Sequence, residues 1–170
     1  MGEVFQVVFN SIVGPNIISN ANLLSVSYNV NWIAFLPQKY KKFSCKFTFK
    51  SAPYGGLLLA MGVVGMNFGR MNTFDGLQQI QTVGVIMPNI LSTTQTNAAA
   101  AQLGPPAVAA VIAVPLLSRY EATANDNNEF WIDYPTNTIL TVSIKAQANG
   151  TVPSFQPYVL ILTLTGIDDI

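Results

Sequence analysis

The sequence predicts an all-β protein: an antiparallel two-sheet sandwich, a single jelly roll of eight to nine strands with one short helix. Three observations carry that prediction. Residues 39–50, KYKKFSCKFTFK, alternate strictly, with Phe43, Cys45, Phe47 and Phe49 on one parity and Lys42, Ser44, Lys46, Thr48 and Lys50 on the other. That period of two belongs to a half-buried strand, and a face of three phenylalanines needs a second apolar layer over it. Short runs of similar character recur at turn-punctuated spacing, and no segment carries the 3.6-residue period of a long helix. Finally, 12 glycines and 10 prolines supply the many corners of such a fold.

Residues 4–9 read as a first strand, and Gly14-Pro15 and Ser19-Asn20 mark the loop after it. Leu24, Val26, Tyr28 and Val30 alternate with Leu23, Ser25, Ser27 and Asn29, which makes a second strand. Asn31 is placed to cap one helical turn over residues 32–36, which Pro37 stops. The aromatic strand comes next, then a turn over residues 52–56. Residues 57–68 form an apolar run broken by Gly62 and Gly65, the pattern of a bent strand, and residues 67–76 (NFGRMNTFDG) form a loop. Residues 81–87 (QTVGVIM) are another strand.

Residues 88–106 read as the longest irregular region, with Thr93, Thr94, Thr96, a four-alanine run and Gly104-Pro105-Pro106. A loop of that length inside a compact domain is functional or disordered, and the lack of charge favours docking onto a neighbour. Residues 107–120 return as a strand interrupted at Pro115, and residues 124–128 turn. EFWIDY (129–134), ILTVSIKA (139–146) and YVLILTLT (158–165) complete the set, with Asn149-Gly150 as a turn.

A chain of 170 residues fits one domain, residues 1–170, in which residues 1–22 form an N-terminal strand and loop available to neighbours. Only 9% of residues are charged, against about 25% in ordinary soluble domains. Residues 4–38 carry no charge at all, nor do residues 76–118. A free monomer scatters charge over its surface, so two long uncharged tracts predict that other molecules cover much of this one. The alternative is a compact monomer whose uncharged loops are rich in Asn, Thr, Gln and Ser.

The formal net charge is zero and the first fourteen residues, MGEVFQVVFNSIVG, contain no base, so direct binding of nucleic acid is not expected. No secretory signal pattern is visible. The most membrane-like run, AVAAVIAVPLL at 107–117, falls well short of the roughly 20 residues a spanning helix needs, and it reads as a buried strand.

Much chemistry is absent. Without histidine there is no His-based triad and no imidazole metal site, and one cysteine makes no thiolate zinc cluster. Cys45, on the apolar parity of the aromatic strand, is expected to be a small core hydrophobe. No phosphate-cradling GxxxxGK[ST] loop occurs. Asp126 with Glu129, and Asp168 with Asp169, are carboxylate pairs of the kind that bind calcium or hydrolyse glycosides, but eight carboxylates always yield some pairs, and solvated turn charges are the better reading. Lys42, Lys46 and Lys50 share a face that offers cations to phosphate, without guanidinium forks or an aromatic stripe beside them. Lys39, Lys41 and Lys42 offer the same to an acidic neighbour or anionic lipid. Asn149-Gly150-Thr151 matches the glycosylation sequon, a short pattern that arises often by chance.

Several segments taken together resemble a known family. They are NVNWIAFLPQKYKKFSCKFTFKS from Asn29, NFG from Asn67, TVGVIMPNI from Thr82, SRYEATANDNN from Ser118, YPTNTILTVSI from Tyr134 and PYVLILTLTGI from Pro157. In order and spacing they are similar to small single-jelly-roll minor capsid proteins of large icosahedral double-stranded DNA viruses of algae and protists. The alanine-rich tract 97–113 and Asn127-Asn128-Glu129 depart from that pattern.

The resemblance implies a virion component that sits with or beneath the major capsid protein and other minor capsid proteins in a large hetero-assembly, with its inner side toward an internal viral membrane. It transfers no catalytic, cofactor-binding or metal-binding residue. The expectation is a structural subunit, not an enzyme, with no cofactor. A penton or vertex subunit is the alternative within that class. A carbohydrate-binding jelly roll, stacking sugar on Trp131, Tyr134 or Tyr54, is the alternative outside it, with a carboxylate glycosidase third.

Overall fold

The computed structural model describes residues 2–12, 17–22, 25–55, 61–68, 81–98, 110–123, 129–146 and 156–168. Within them the chain is all-β and antiparallel. The strands are β1 (Val4–Asn10), β2 (Ile17–Asn22), β3 (Ser25–Asn29), β4 (Lys42–Ser51), β5 (Tyr54–Gly55), β6 (Gly62–Met66), β7 (Gln81–Ala98), β8 (Ala110–Ala122), β9 (Glu129–Asp133), β10 (Ile139–Ala146) and β11 (Tyr158–Ile167). One helical turn, α1 (Trp32–Phe35), precedes β4.

Hydrogen bonding joins the strands in the order β1-β11-β4-β8-β7-β6-β10-β3-β2, with β9 also on β4 and β5 also on β8. Strands distant in sequence interleave in a jelly-roll-like way, as where β11 inserts between β1 and β4. The two expected sheets are parts of one continuous sheet. Its continuity comes from β7, which pairs with β6 from Gln81 to Ile86 and with β8 from Met87 to Ala98. The sheet curls until its two ends meet. Phe9 of β1 packs against Tyr28 of β3 at 4.9 Å between ring centroids, and the Tyr28 hydroxyl donates to the Asn10 carbonyl at 3.1 Å.

The core follows the alternation of the sequence. In β4, Phe43, Cys45, Phe47 and Phe49 are all buried, and β11 lays Leu160, Leu162 and Leu164 beside them. Val26, Tyr28, Val64, Met66, Leu140, Val142 and Ile144 join the same cluster from β3, β6 and β10. α1 contributes Trp32, whose indole N–H donates to the Asn137 carbonyl at 2.8 Å. One inward position must be glycine: a Cβ on Gly166 would lie 2.6 Å from ring carbons of Tyr40.

The structure corrects three expectations. Among the described residues eleven strands replace eight to nine, because the polar segment Ile17–Asn22 forms β2 against β3 and a two-residue β5 forms within the expected turn at 52–56. Asn31 precedes α1, yet its side chain makes no capping hydrogen bond. Residues 88–98, expected to be irregular, continue β7 as a ladder from Met87 opposite Glu121 to Ala98 opposite Ala110. Among the described residues Pro88 has only β8 beside it and Pro115 only β7, and such edge positions tolerate proline. The expected bent strand at 57–68 is described only from residue 61, with β6 covering Gly62–Met66. The rest of the loop at 88–106, the loop at 69–76 and the turns at 124–128 and Asn149-Gly150 lie outside the described residues.

Candidate interaction surface

The outward parity of β4 builds the centre of one outer face, and register extends it sideways. Lys42 stands opposite Asp133 of β9, Lys46 opposite Glu129 of β9, and Lys50 opposite Glu121 of β8. Every outward lysine of this strand therefore has an acid facing it. Lys46 Nζ lies 3.7 Å from Glu129, which also accepts a hydrogen bond from Ser44 Oγ at 2.6 Å. Glu121 is held in turn by Arg119 and by Asn89 Nδ2 at 2.8 Å. Exposed pairs of this sort add at most about 1 kcal/mol each, so their main effect is to cancel the positive stripe locally. The register thus sets carboxylates among the lysines, so the cationic stripe does not stand alone on this face.

On the other side of β4 the same face has no charge. β1 presents Val4, Gln6 and Val8, and β11 presents Val159, Ile161, Thr163, Thr165 and Ile167. Val4 and Val8 are 60% and 62% exposed. A cavity of about 420 Å³, lined by Thr48, Val159 and Ile161 together with Lys50 and Glu121, opens where the charged and uncharged halves meet. A second apolar patch lies on the β7–β8 ladder, where Met87, Ile90, Leu91 and Leu117 are exposed. The register slips between Ile90 and Ser92, and this irregularity accompanies two successive side chains that both face outward.

The aromatic residues suggested for sugar stacking do not form a platform. Trp131 is 63% exposed on β9. Tyr54 is buried, edge-on to Tyr120, and its hydroxyl accepts from Gln156 N at 2.9 Å. Tyr134 is half-buried against Phe43, and its hydroxyl donates to the Leu36 carbonyl at 3.0 Å. Two of the three rings are thus committed to the interior.

The reactive residues tell a similar story. Glu129 is engaged by Lys46 and Ser44, and its suggested partner Asp126 lies outside the described residues, as do Asp169 and the sequon at Asn149. Asp168 is exposed. Among the described residues no three His, Cys, Asp or Glu side chains come together. Cys45 is fully buried and burial pushes its thiol up to about 12, so it is a core side chain without thiolate character at neutral pH. Lys39 pairs with Glu3 at 2.7 Å and sits over the Tyr40 ring; the Glu3 hydrogen bond raises its pKa. Lys41 is exposed.

The sequence signalled the charge tracts but not this surface. The valines of β1 were visible as one parity of a strand, while their adjacency to Ile161 and Val159 depends on pairing with β11, far away in the chain. No helix among the described residues is long and apolar enough to cross a membrane. No family model matches the chain, and searches of curated proteins and of solved structures found no significant match.

Proposed function

We propose that the chain is a non-enzymatic structural subunit of a virus shell, a minor capsid protein that packs among and cements capsomers of a major capsid protein. The observation that supports a subunit of this general kind is the outer face: uncharged over β1 and β11, with Val4 and Val8 more than half exposed, and with an acid opposite each outward lysine of β4. Such a face gains by being covered. The narrower identity of the shell rests on the segments that resemble minor capsid proteins. Standard contacts cover about 800 Å² on each partner, so four neighbours would take roughly a third of the 10327 Å² surface. The partners are the major capsid protein and other minor capsid proteins, with the uncharged half suited to an internal membrane.

The test uses the apolar patch of the β7–β8 ladder. The double variant Ile90→Lys with Leu117→Lys changes exposed side chains only, so its melting temperature should stay within a few degrees of the wild type. Its content in purified particles, quantified by mass spectrometry, should fall at least tenfold. Undiminished content would remove this patch from the contact surface, and a wild-type chain that never enters particles would overturn the function itself. Discrete rings of the pure protein in sedimentation would favour a vertex subunit. Trp131 is the one observation on the side of carbohydrate binding, and a glycan array that stays silent removes that reading.

A further inference from the structure

β1 ends the strand order, and among the described residues only β11 pairs with it. The Glu3 carbonyl accepts from Gly166 N at 2.9 Å, and Ser11 N donates to the Tyr158 carbonyl at 3.0 Å. Odd-numbered residues of this segment therefore turn their peptide groups toward β11. In an antiparallel ladder the alternate residues turn theirs the other way. The N–H and C=O groups of Val4, Gln6 and Val8 consequently point off the rim of the sheet. Natural edge strands guard such a rim with lysine, proline or a bulge. β1, VFQVVFN, has none of these, and its register against β11 is unbroken. The nearest charge, Glu3, is already engaged by Lys39.

We infer that the β1 rim pairs with the β1 rim of a second copy of the chain, antiparallel about a twofold axis through Gln6, so that the sheets of two molecules become one. This register sets Val4 against the partner's Val8 and Gln6 against the partner's Gln6. These are the residues whose peptide groups face outward, and together they exchange about six N–H···O bonds. On the inner side, Phe5 meets the partner's Val7.

A second copy fits better than an unrelated strand because β1 is chemically the same in both directions about its centre. Valine answers valine, and a glutamine amide both donates and accepts, so it satisfies an identical residue opposite. No charge from Val4 to Asn10 repels its counterpart. The contact is isologous and closes as a dimer rather than growing into a fibre. It also continues the outer face, since the uncharged strip of β11 and β1 runs on into the same strip of the partner. A single strand pairing falls below the roughly 1,200 Å² of a standard interface, so the dimer should be weak alone, with a dissociation constant on the order of tens of micromolar. The pairing needs no shell around it: a chain that dimerises but never enters a particle overturns the proposed function and leaves the dimer standing.

The full chain is studied by sedimentation velocity over a concentration series, with residue-resolved amide exchange at both extremes. Gln6→Pro removes a rim N–H while leaving the β11 ladder whole, and proline is tolerated at such an edge position. Gln6→Lys, a second variant with no backbone constraint, sets two like charges face to face across the axis. Wild-type protein should dimerise, and either variant that keeps the wild-type circular dichroism should weaken the dimer at least tenfold. In the wild type, the amides of Val4, Gln6 and Val8 should exchange at least tenfold more slowly at high concentration, while those of Phe5 and Val7 stay protected throughout. A monomer up to millimolar concentration, an association that survives both substitutions, or capture of another protein's strand without self-association would each overturn the inference.

Discussion

Two buried serines stand in for backbone. The ladder of β4 and β8 runs through Lys50 opposite Glu121, and at the next rung the Ser51 hydroxyl accepts from Tyr120 N at 3.0 Å while donating to the Ala52 carbonyl. At the end of β1, Ser11 Oγ likewise accepts from Tyr158 N at 2.8 Å. Each hydroxyl satisfies a buried peptide N–H that alanine would strand, so Ser51→Ala should cost about 1 to 3 kcal/mol in urea denaturation. No loss would show that water or a relaxed backbone takes over. The buried tyrosines set a different limit. Desolvation by burial is the main cause that pushes Tyr28 and Tyr54 up to about 12 and raises Tyr158 further, and Tyr28 and Tyr158 also interact with each other. Because the folded values exceed the unfolded value of about 10, the native state holds its phenolic protons more tightly. The stability linked to them is complete below pH 10 and is lost as pH rises from 10 toward 12. The denaturation midpoint should hold steady between pH 7 and 9 and drop above 10, less steeply in Tyr28→Phe; equal slopes in the two proteins would assign the alkaline loss to other groups.

Among the elements, the β7–β8 ladder is the one whose removal should matter least to the fold. From Thr93 opposite Pro115 to Ala98 opposite Ala110, each strand pairs only with the other among the described residues. Of the residues between Ile86 and Tyr120 whose side chains are described, 87–92 and 117–119, none joins the buried hydrophobic cluster. Replacing residues 94–114 by Asn-Gly, which joins Thr93 to Pro115 through a two-residue turn, should leave the melting temperature within a few degrees and reduce incorporation into particles. A large fall in melting temperature would make the ladder part of the core. This element also shows where sequence reading stops. β4, β10 and β11 were legible because one face is buried, and burial writes a period of two into the residues, as in Phe43, Cys45, Phe47 and Phe49. Residues 88–98 and β2 were not, because PNILSTTQTNA and IISNAN carry no such period. They are strands because of a partner strand, β8 or β3, and cross-strand pairing leaves no local mark. The candidate surface was half-legible for the same reason. The lysines of β4 announced a charged face, while Glu121, Glu129 and Asp133, which cancel it, arrive through register from more than seventy positions away.

At the scale of the whole molecule, the shortage of charge and the curled sheet belong together. A sheet that closes on itself around Phe9 and Tyr28 hides most of its aromatic side, which leaves the outer faces to settle how the molecule meets others. Those faces divide into one half that is electrically spent and one half that never had charge. The pairing order has one more outcome. β11 lies between β1 and β4, although the ribosome makes it long after both. Until it emerges, the rim of β4 that β11 will cover has its peptide groups unanswered, next to the apolar face of Phe43, Phe47 and Phe49, and β1 has no described strand to pair with. That rim would accept the corresponding strand of a neighbouring nascent chain, so synthesis on crowded polysomes is the stage at which this protein is most exposed to strand exchange and to chaperone capture.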